Sequence, residues 1–309
     1  NKEREIGRAI QSVLSQEVRP RELIVVDDGS TDGSAGVVSA VRAPMVRLVS
    51  QANKGVSAAR NRGVAEAVCG AVAFLDADDE WRPGFIGAVM DLRGRCPDAG
   101  MWATAFDLGR GGRHECMRTR WKGVPAAAEG GIIPDFFRSS MKMPPFCASS
   151  FCVPVGVFGS VGGFPEGVAL GEDMVLWVRI ALRYQIAYSP SAQAVYHKDA
   201  SNRAMDRHRY GGRDTLLARV MEDALETGTL PPGLRRSARL FLAQHLLEVA
   251  RHAGDRGDGE LARRLLREVL LRHRAFPLRC LRRWIRSYRA QAGAGQRPGT
   301  DGGPVPPRP

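Results

Sequence analysis

Three carboxylate clusters in the sequence have the types and spacing to do chemistry: Asp27-Asp28, Asp76-Ala77-Asp78-Asp79 and Glu172-Asp173. The first two follow short apolar runs, Leu23 to Val26 and Ala71 to Leu75, so they read as the acidic ends of β-strands. In a parallel α/β sheet such ends emerge along the carboxyl edge, where ligands bind. Carboxylates packed closely repel and raise one another's pKa unless a cation or a hydrogen-bond donor intervenes. A divalent ion resolves that repulsion. Hard oxygen ligands on one short loop suit Mg²⁺ or Mn²⁺, which keep coordination positions for phosphate oxygens. Acidic turns that cap the next helix would account for the same residues without any chemistry. Glu172-Asp173 opens a helical pattern, where the dipole favours carboxylates in any case. A carboxylate there can also serve as general base towards an acceptor hydroxyl.

The elements that must position these acids are legible as alternating periodicities. Over the first two hundred residues the spacing predicts helices at 4–14, 35–41, 57–68, 83–92 and 172–182, with Ser57 as an N-cap, and strands at 23–26, 45–49, 71–75, 99–107 and 146–153. That alternation predicts an α/β domain over 1–204 with a largely parallel sheet. From about 205 the pattern is helical only, at 208–227, 233–253, 258–273 and 277–290, which predicts a basic helical domain over 205–290. The stretch 291–309 holds five Gly and five Pro and is expected to be a disordered tail.

Composition bounds the function. The chain has 309 residues and 44% hydrophobic residues, enough for a buried core and unlike a disordered chain. No stretch approaches the ~20 apolar residues that cross a bilayer, and the opening NKEREIGR is charged rather than secretory, so a cytoplasmic chain is expected. The six cysteines form no CxxC pair and read as free thiols, with a Cys147–Cys152 disulfide as the alternative. Between Gly233 and Ala290 there are 15 Arg and 5 acids, so +10 of the net charge of +12 sits there. The simple reading of those arginines is a solvated face. The sharper one takes 280–289 as an interfacial helix in peripheral contact with anionic lipid at the inner face of the plasma membrane. No nucleic-acid recognition motif is present, and no nucleic-acid partner is expected.

SerValLeuSerGln (12–16), LeuIleValValAspAspGlySerThrAsp (23–32), AsnLysGlyValSerAlaAlaArgAsnArgGly (53–63), PheLeuAspAlaAspAspGluTrp (74–81), GlyGlyPhe (162–164) and GlyGluAspMetValLeuTrpValArgIleAla (171–181) occur in one order. Over about residues 1–200 this ordered set resembles the family 2 glycosyltransferases of GT-A fold, a Rossmann-like domain. The resemblance implies an inverting enzyme that moves a sugar from a nucleotide diphosphate sugar to an acceptor hydroxyl of a glycan, a lipid-linked glycan or a small molecule, in building a cell-surface polysaccharide or glycoconjugate. A catalytically degenerate nucleotide-sugar or membrane-binding module is the alternative.

The same resemblance implies roles for residues. Asp28 matches the residue that holds the nucleobase, in a turn shaped by Asp27, Gly29 and Ser30. Asn53, Gly55 and Arg60 match the nucleotide-side loop and helix. Asp76, Ala77 and Asp78 match the DxD signature, Asp76 towards the ribose and Asp78 on Mg²⁺ or Mn²⁺, with Asp79 an alternative ligand and His197 a further one. Asp173 matches the base, and Glu172 helps to orient it or the acceptor. Relatives open with an apolar central strand that is not among these residues, so an open sheet edge is expected.

Overall fold

The computed structural model describes residues 1–116, 123–125, 127–141, 143–168, 170–200 and 215–272. The chain opens with α1 (Ile6–Leu14), whose Ile6 and Ile10 recur one turn apart and are buried against Val38 of a short second helix. Then follow β1 (Leu23–Asp28), α2 (Ser34–Ser39), β2 (Val46–Gln51) and α3 (Val56–Glu66). β3 (Ala71–Ala73) and β4 (Glu80–Trp81) flank the second acidic loop, and α4 (Phe85–Arg95) leads to the long β5 (Met101–Arg110). β6 (Arg113–Cys116), β7 (Gly131–Ile132), α5 (Phe136–Ser139), β8 (Phe151–Pro154), α6 (Val155–Ser160), α7 (Glu172–Ala181) and β9 (Ile186–His197) complete the α/β part. Among the described residues three helices follow: α8 (Leu216–Thr227), α9 (Arg235–Asp255) and α10 (Gly259–Arg272).

The sheet differs from the parallel one expected. β1 and β2 pair parallel as a separate two-stranded sheet, and the larger sheet runs β3-β8-β5-β9-β4, with β6 on β5 and β7 on β9. Within it only β5 and β9 are parallel, while β8 runs antiparallel to both β3 and β5. The physical reason lies in burial. β5 is buried at every position but its last, so both faces are covered and its sequence shows no alternation. A continuous apolar run reports two-sided burial, which usually accompanies parallel strands but does not set strand direction. Among the described strands β1 pairs only with β2 and β3 only with β8, so each keeps one open edge.

The helical segment does not form a core of its own. Leu217, Met221, Phe241, Leu246 and Leu265 belong to one buried cluster with Phe137, Phe151 and Trp177 of the α/β part. The Phe241 ring lies 5.7 Å from Phe137 and 6.4 Å from Phe136. α8 is closed at both ends: Thr215 Oγ1 accepts from Ala218 N, and Gly228 takes φ 72° just past the last turn. Cys147 and Cys152 are separate free thiols rather than a disulfide, and burial raises both, Cys152 to about 12. The expected helix at 277–290, the interfacial segment 280–289, the tail 291–309 and the first turns of the helix expected from 208 lie outside the described residues.

Candidate active site

The β1 turn is built by its own acids. Asp27 Oδ1 accepts from Ser30 N at 3.0 Å, which closes the turn over Gly29. Gly29 holds φ 73°, and a Cβ there would lie 3.0 Å from Asn53 N, so this turn presses on the loop before α3. Asp28 spans the same gap. Its Oδ1 accepts from Gln51 Nε2 and Lys54 N, and its Oδ2 from Gly55 N, all at 2.8 Å. Gly55, at φ 89°, rather than Ser57, is the residue before the first turn of α3; the Ser57 hydroxyl is buried and makes no hydrogen bond. Asn53 is exposed on this loop.

α3 carries the next layer. Arg60 sends Nη2 to Asp76 Oδ1 at 2.6 Å and Nη1 to Glu172 Oε1 at 2.9 Å, and its guanidinium lies 5.0 Å from the centre of the Phe164 ring. Its side chain is only 11% exposed. Burial works against its charge, but the carboxylates of Asp76 and Glu172 outweigh it and hold its pKa above the usual arginine value. Asn61 donates to Phe164 O at 2.9 Å and accepts from Phe164 N at 3.0 Å. Gly163, at φ 61°, leaves room for that side chain, since a Cβ would sit 2.9 Å from Asn61 Oδ1. The GlyGlyPhe turn is thereby fixed to α3.

The acids of the second loop divide their work. Asp79 is 1% exposed, its Oδ2 accepts from Ser149 Oγ at 2.5 Å and its Oδ1 from His197 N at 3.0 Å. Ser149 Oγ also accepts from Asp76 N at 3.1 Å, so the loop is tied from below. Burial, reinforced by Asp76, pushes the Asp79 carboxyl well above the usual range. Asp78 instead meets Lys2 Nζ at 2.6 Å, and Arg8 Nη2 reaches its carbonyl at 2.5 Å. The residues just before α1 also bind the segment after β1: Lys2 N donates to Ser34 Oγ, and Asn1 Oδ1 accepts from Thr31 N. His197 points its Nε2 to Glu80 Oε1 at 3.3 Å.

These placements test the metal expectation. Among the described residues no three His, Cys, Asp or Glu side chains are arranged to hold an ion by themselves, so the structure does not gather Asp78, Asp79 and His197 into one ligand set. Both Asp79 oxygens are engaged by protein donors. Asp78 fits a metal better, because its carboxylate already attracts a cation, the Lys2 ammonium. A hard divalent ion commonly takes one or two carboxylates and fills its shell with phosphate oxygens and water, so a single aspartate suffices as the protein's share.

At the first turn of α7, Asp173 Oδ1 accepts from Met174 N at 2.7 Å and Glu172 faces Arg60. Gly171 precedes them at φ 83°. Part of Asp173 reaches solvent, yet its carboxyl lies deep enough that burial, then the charge of Glu172, raises its pKa to about 7 against the pull of Arg60. Sequence reasoning missed Lys2, Ser149 and the reciprocal grip of Asn61. Asn61 at least lay inside a recognised motif. Lys2 and Ser149 carry no local signature.

The family model described as "Glycosyl transferase family 2" matches residues 1–126. The chain is 38% identical over 243 residues to the succinoglycan biosynthesis protein ExoU of Rhizobium meliloti strain 1021, an alignment covering 71% of this chain and 68% of ExoU. The chain belongs to glycosyltransferase family 2. The same organism's ExoO, also a succinoglycan biosynthesis protein, is 32% identical over 62% of this chain. The chain spans 56% of ExoO and 30% of an uncharacterized glycosyltransferase, alr2836, of Nostoc sp. PCC 7120. In fold, this family 2 chain matches Staphylococcus aureus TarS in complex with UDP-GlcNAc, with a TM-score of 0.58 at 18% identity, covering 79% of this chain and 68% of that one. It matches the Pyrobaculum calidifontis mannosyltransferase PcManGT, in complex with GDP-Man and Mn²⁺, also at 0.58 and 18%, over 87% of this chain and 72% of that one. The α/β part is therefore of GT-A type, followed by helices.

Proposed function

We propose that the chain transfers a sugar from a nucleotide diphosphate sugar to an acceptor hydroxyl with inversion at the anomeric carbon, and that Asp173 is the base. The observation that carries this reading is the Asp173 carboxyl itself: partly accessible at the start of α7, raised to about 7, and joined to the donor loop through Glu172, Arg60 and Asp76. A base of that strength is matched to taking a proton from an alcohol as the alcohol attacks. The acceptor proton passes to Asp173, the acceptor oxygen bonds to the anomeric carbon, and the bond from that carbon to the diphosphate breaks with its electron pair leaving on the diphosphate. One in-line displacement inverts the centre.

On the donor side, Asp27, Gly29, Ser30, Asn53 and Gly55 form the nucleoside-facing turn and loop, with Asp28 as the brace between them. Asp76 faces the ribose. A divalent ion, Mg²⁺ or Mn²⁺, held by Asp78 would supply charge neutralisation for the leaving diphosphate. The ligands of TarS and PcManGT support a nucleotide-sugar donor and, for the latter, the metal. ExoO, ExoU and the N-acetylglucosaminyl-diphospho-decaprenol L-rhamnosyltransferase of Mycobacterium tuberculosis support a place in polysaccharide or glycoconjugate synthesis. Among the described residues no helix is long and apolar enough to cross a membrane.

Thermal unfolding in the presence of UDP, GDP, dTDP or CDP, each with and without Mn²⁺, tests the donor half of this reading. A ligand that binds only the folded state raises its stability. A Mn²⁺-dependent rise with one nucleotide is expected. No rise with any of them, in protein shown to be folded, overturns the transferase reading in favour of a degenerate module.

A further inference from the structure

The Arg60 side chain is largely buried between two carboxylates that come from different elements. We infer that it is a positioning residue that ties the donor loop to the acceptor end of the site: one guanidinium holds Asp76 and Glu172 together, so that Glu172 stays an ion pair and Asp173 is left to take the acceptor proton. This rests on the reading of Asp173 as base.

The geometry spends the guanidinium inside the protein. Its two terminal nitrogens reach carboxylates from different elements, Asp76 after β3 at 2.6 Å and Glu172 at the start of α7 at 2.9 Å. The guanidinium lies over Phe164, which is 1% exposed and held at both backbone atoms by Asn61, the residue next to Arg60. The fork is thus fixed in place by its ring contact and by its own helix. Arginine suits this task because its planar fork can satisfy two acceptors at once, whereas the compact ammonium of lysine acts as a point charge. The breaking of a buried pair leaves an uncompensated charge, so neither Asp76 nor Glu172 can move without the other being affected.

The electrostatics make the consequence specific. Asp76, Glu172 and Asp173 surround one cation, and both Asp76 and Glu172 raise the Asp173 pKa while Arg60 lowers it. With the cation removed, Asp173 would hold its proton to higher pH and would be a base only in more alkaline solution. With the cation kept but the fork lost, Asp173 would keep its titration, and the two carboxylates would no longer be held in common.

The test uses the full chain. ¹³C-carboxylate NMR of aspartate-labelled protein, with the Asp173 resonance assigned by its loss in Asp173→Asn, gives the titration midpoint. Binding of UDP and of GDP with Mn²⁺, by calorimetry, gives donor-side affinity. Arg60→Gln is expected to move the Asp173 midpoint up by about one pH unit and to weaken the nucleotide that binds by tenfold or more. Arg60→Lys is expected to leave the midpoint within a few tenths and still weaken that nucleotide at least threefold. An unmoved midpoint in Arg60→Gln overturns the inference. If that variant does not fold, native-like nucleotide affinity in Arg60→Lys overturns it. The reading of Asp173 as base fails separately: it fails if Asp173→Asn still releases UDP or GDP from UDP-GlcNAc or GDP-Man at the native rate.

Discussion

At the scale of single residues, the site is a set of carboxylates distinguished by their partners. Asp27 and Asp28 accept backbone N–H groups, Asp76 takes an arginine, Asp78 a lysine, Asp79 a serine and a backbone amide, and Asp173 a single backbone amide, with burial and Glu172 raising its carboxyl to about 7. The last difference predicts a stability signature. A buried carboxyl whose folded pKa is raised from 3.8 to about 7 binds its proton more tightly when folded. Its stabilising share is therefore complete below the unfolded pKa and is lost as pH rises through the folded one. Asp173→Asn, which cannot charge, should match the native chain near pH 4 and exceed it near pH 8, by an amount on the order of 2–4 kcal/mol for a shift of this size. Urea unfolding at the two pH values checks this. The same variant should lose about a hundredfold or more in turnover, the usual weight of a general base.

Lys2 supports a second prediction at this scale. Its ammonium sits 2.6 Å from Asp78 Oδ2, so a divalent ion bound as proposed would compete with an internal cation for that oxygen. Lys2→Met should lower the Mn²⁺ concentration that half-saturates the protein in the presence of UDP or GDP, by about threefold or more. Asp78→Ala should abolish saturable Mn²⁺ binding. Water-proton relaxation reads both, and a Lys2→Met affinity equal to the native one would show that the pair dissolves without cost.

At the scale of elements, α3 is the organising piece. Its entry is shaped by Gly55, its Arg60 reaches two loops, and its Asn61 closes on the GlyGlyPhe turn some hundred residues away. The existence of α3, and the acid turns on either side of it, were legible because they depend on local patterns: an apolar run, then polar turn residues. What α3 does was not legible. Asn61 grips backbone atoms of Phe164, and Asp28 grips the amides of Lys54 and Gly55; a backbone partner leaves no side-chain pattern at its own position. Strand direction was hidden for the related reason that two-sided burial removes alternation, as in β5. The role of Asn61 is testable. Asn61→Ala leaves the Phe164 N–H and C=O without their partner, and such a loss costs about 1–3 kcal/mol. Amide exchange should speed up first over 162–166, ahead of β5, and an equal change across the whole chain would locate the effect in the global fold instead.

At the scale of the whole molecule, the charge lies apart from the chemistry. The acid loops sit in a nearly neutral α/β part, while +10 of the net +12 lies in 233–290. Of that charge, 9 Arg and 5 acids, +4, lie on the described residues 233–272, and the α9 and α10 helices there share the core of the α/β part, so their exposed face moves with the candidate site. On α10 the buried positions Leu261, Ala262, Leu265 and Val269 fill one side. The opposite side exposes Arg263, Arg264 and Arg267, with Leu270 at 47% and Leu271 at 69% exposure one turn further on. Cations beside exposed apolar side chains suit an interface of anionic headgroups and acyl chains, where each near-surface Arg contributes about 1 kcal/mol and the leucines add burial. The full chain should therefore sediment with vesicles containing a third phosphatidylglycerol and not with pure phosphatidylcholine, and about 0.5 M salt should release most of it, because exposed charges are screened beyond a few ångströms there. Replacing Arg263, Arg264 and Arg267 by Glu should abolish that binding at low salt, while UDP and GDP affinities stay native. Retained binding in this variant would move the contact to other basic residues of the chain. Equal binding to neutral vesicles would show that charge is not what holds the protein there.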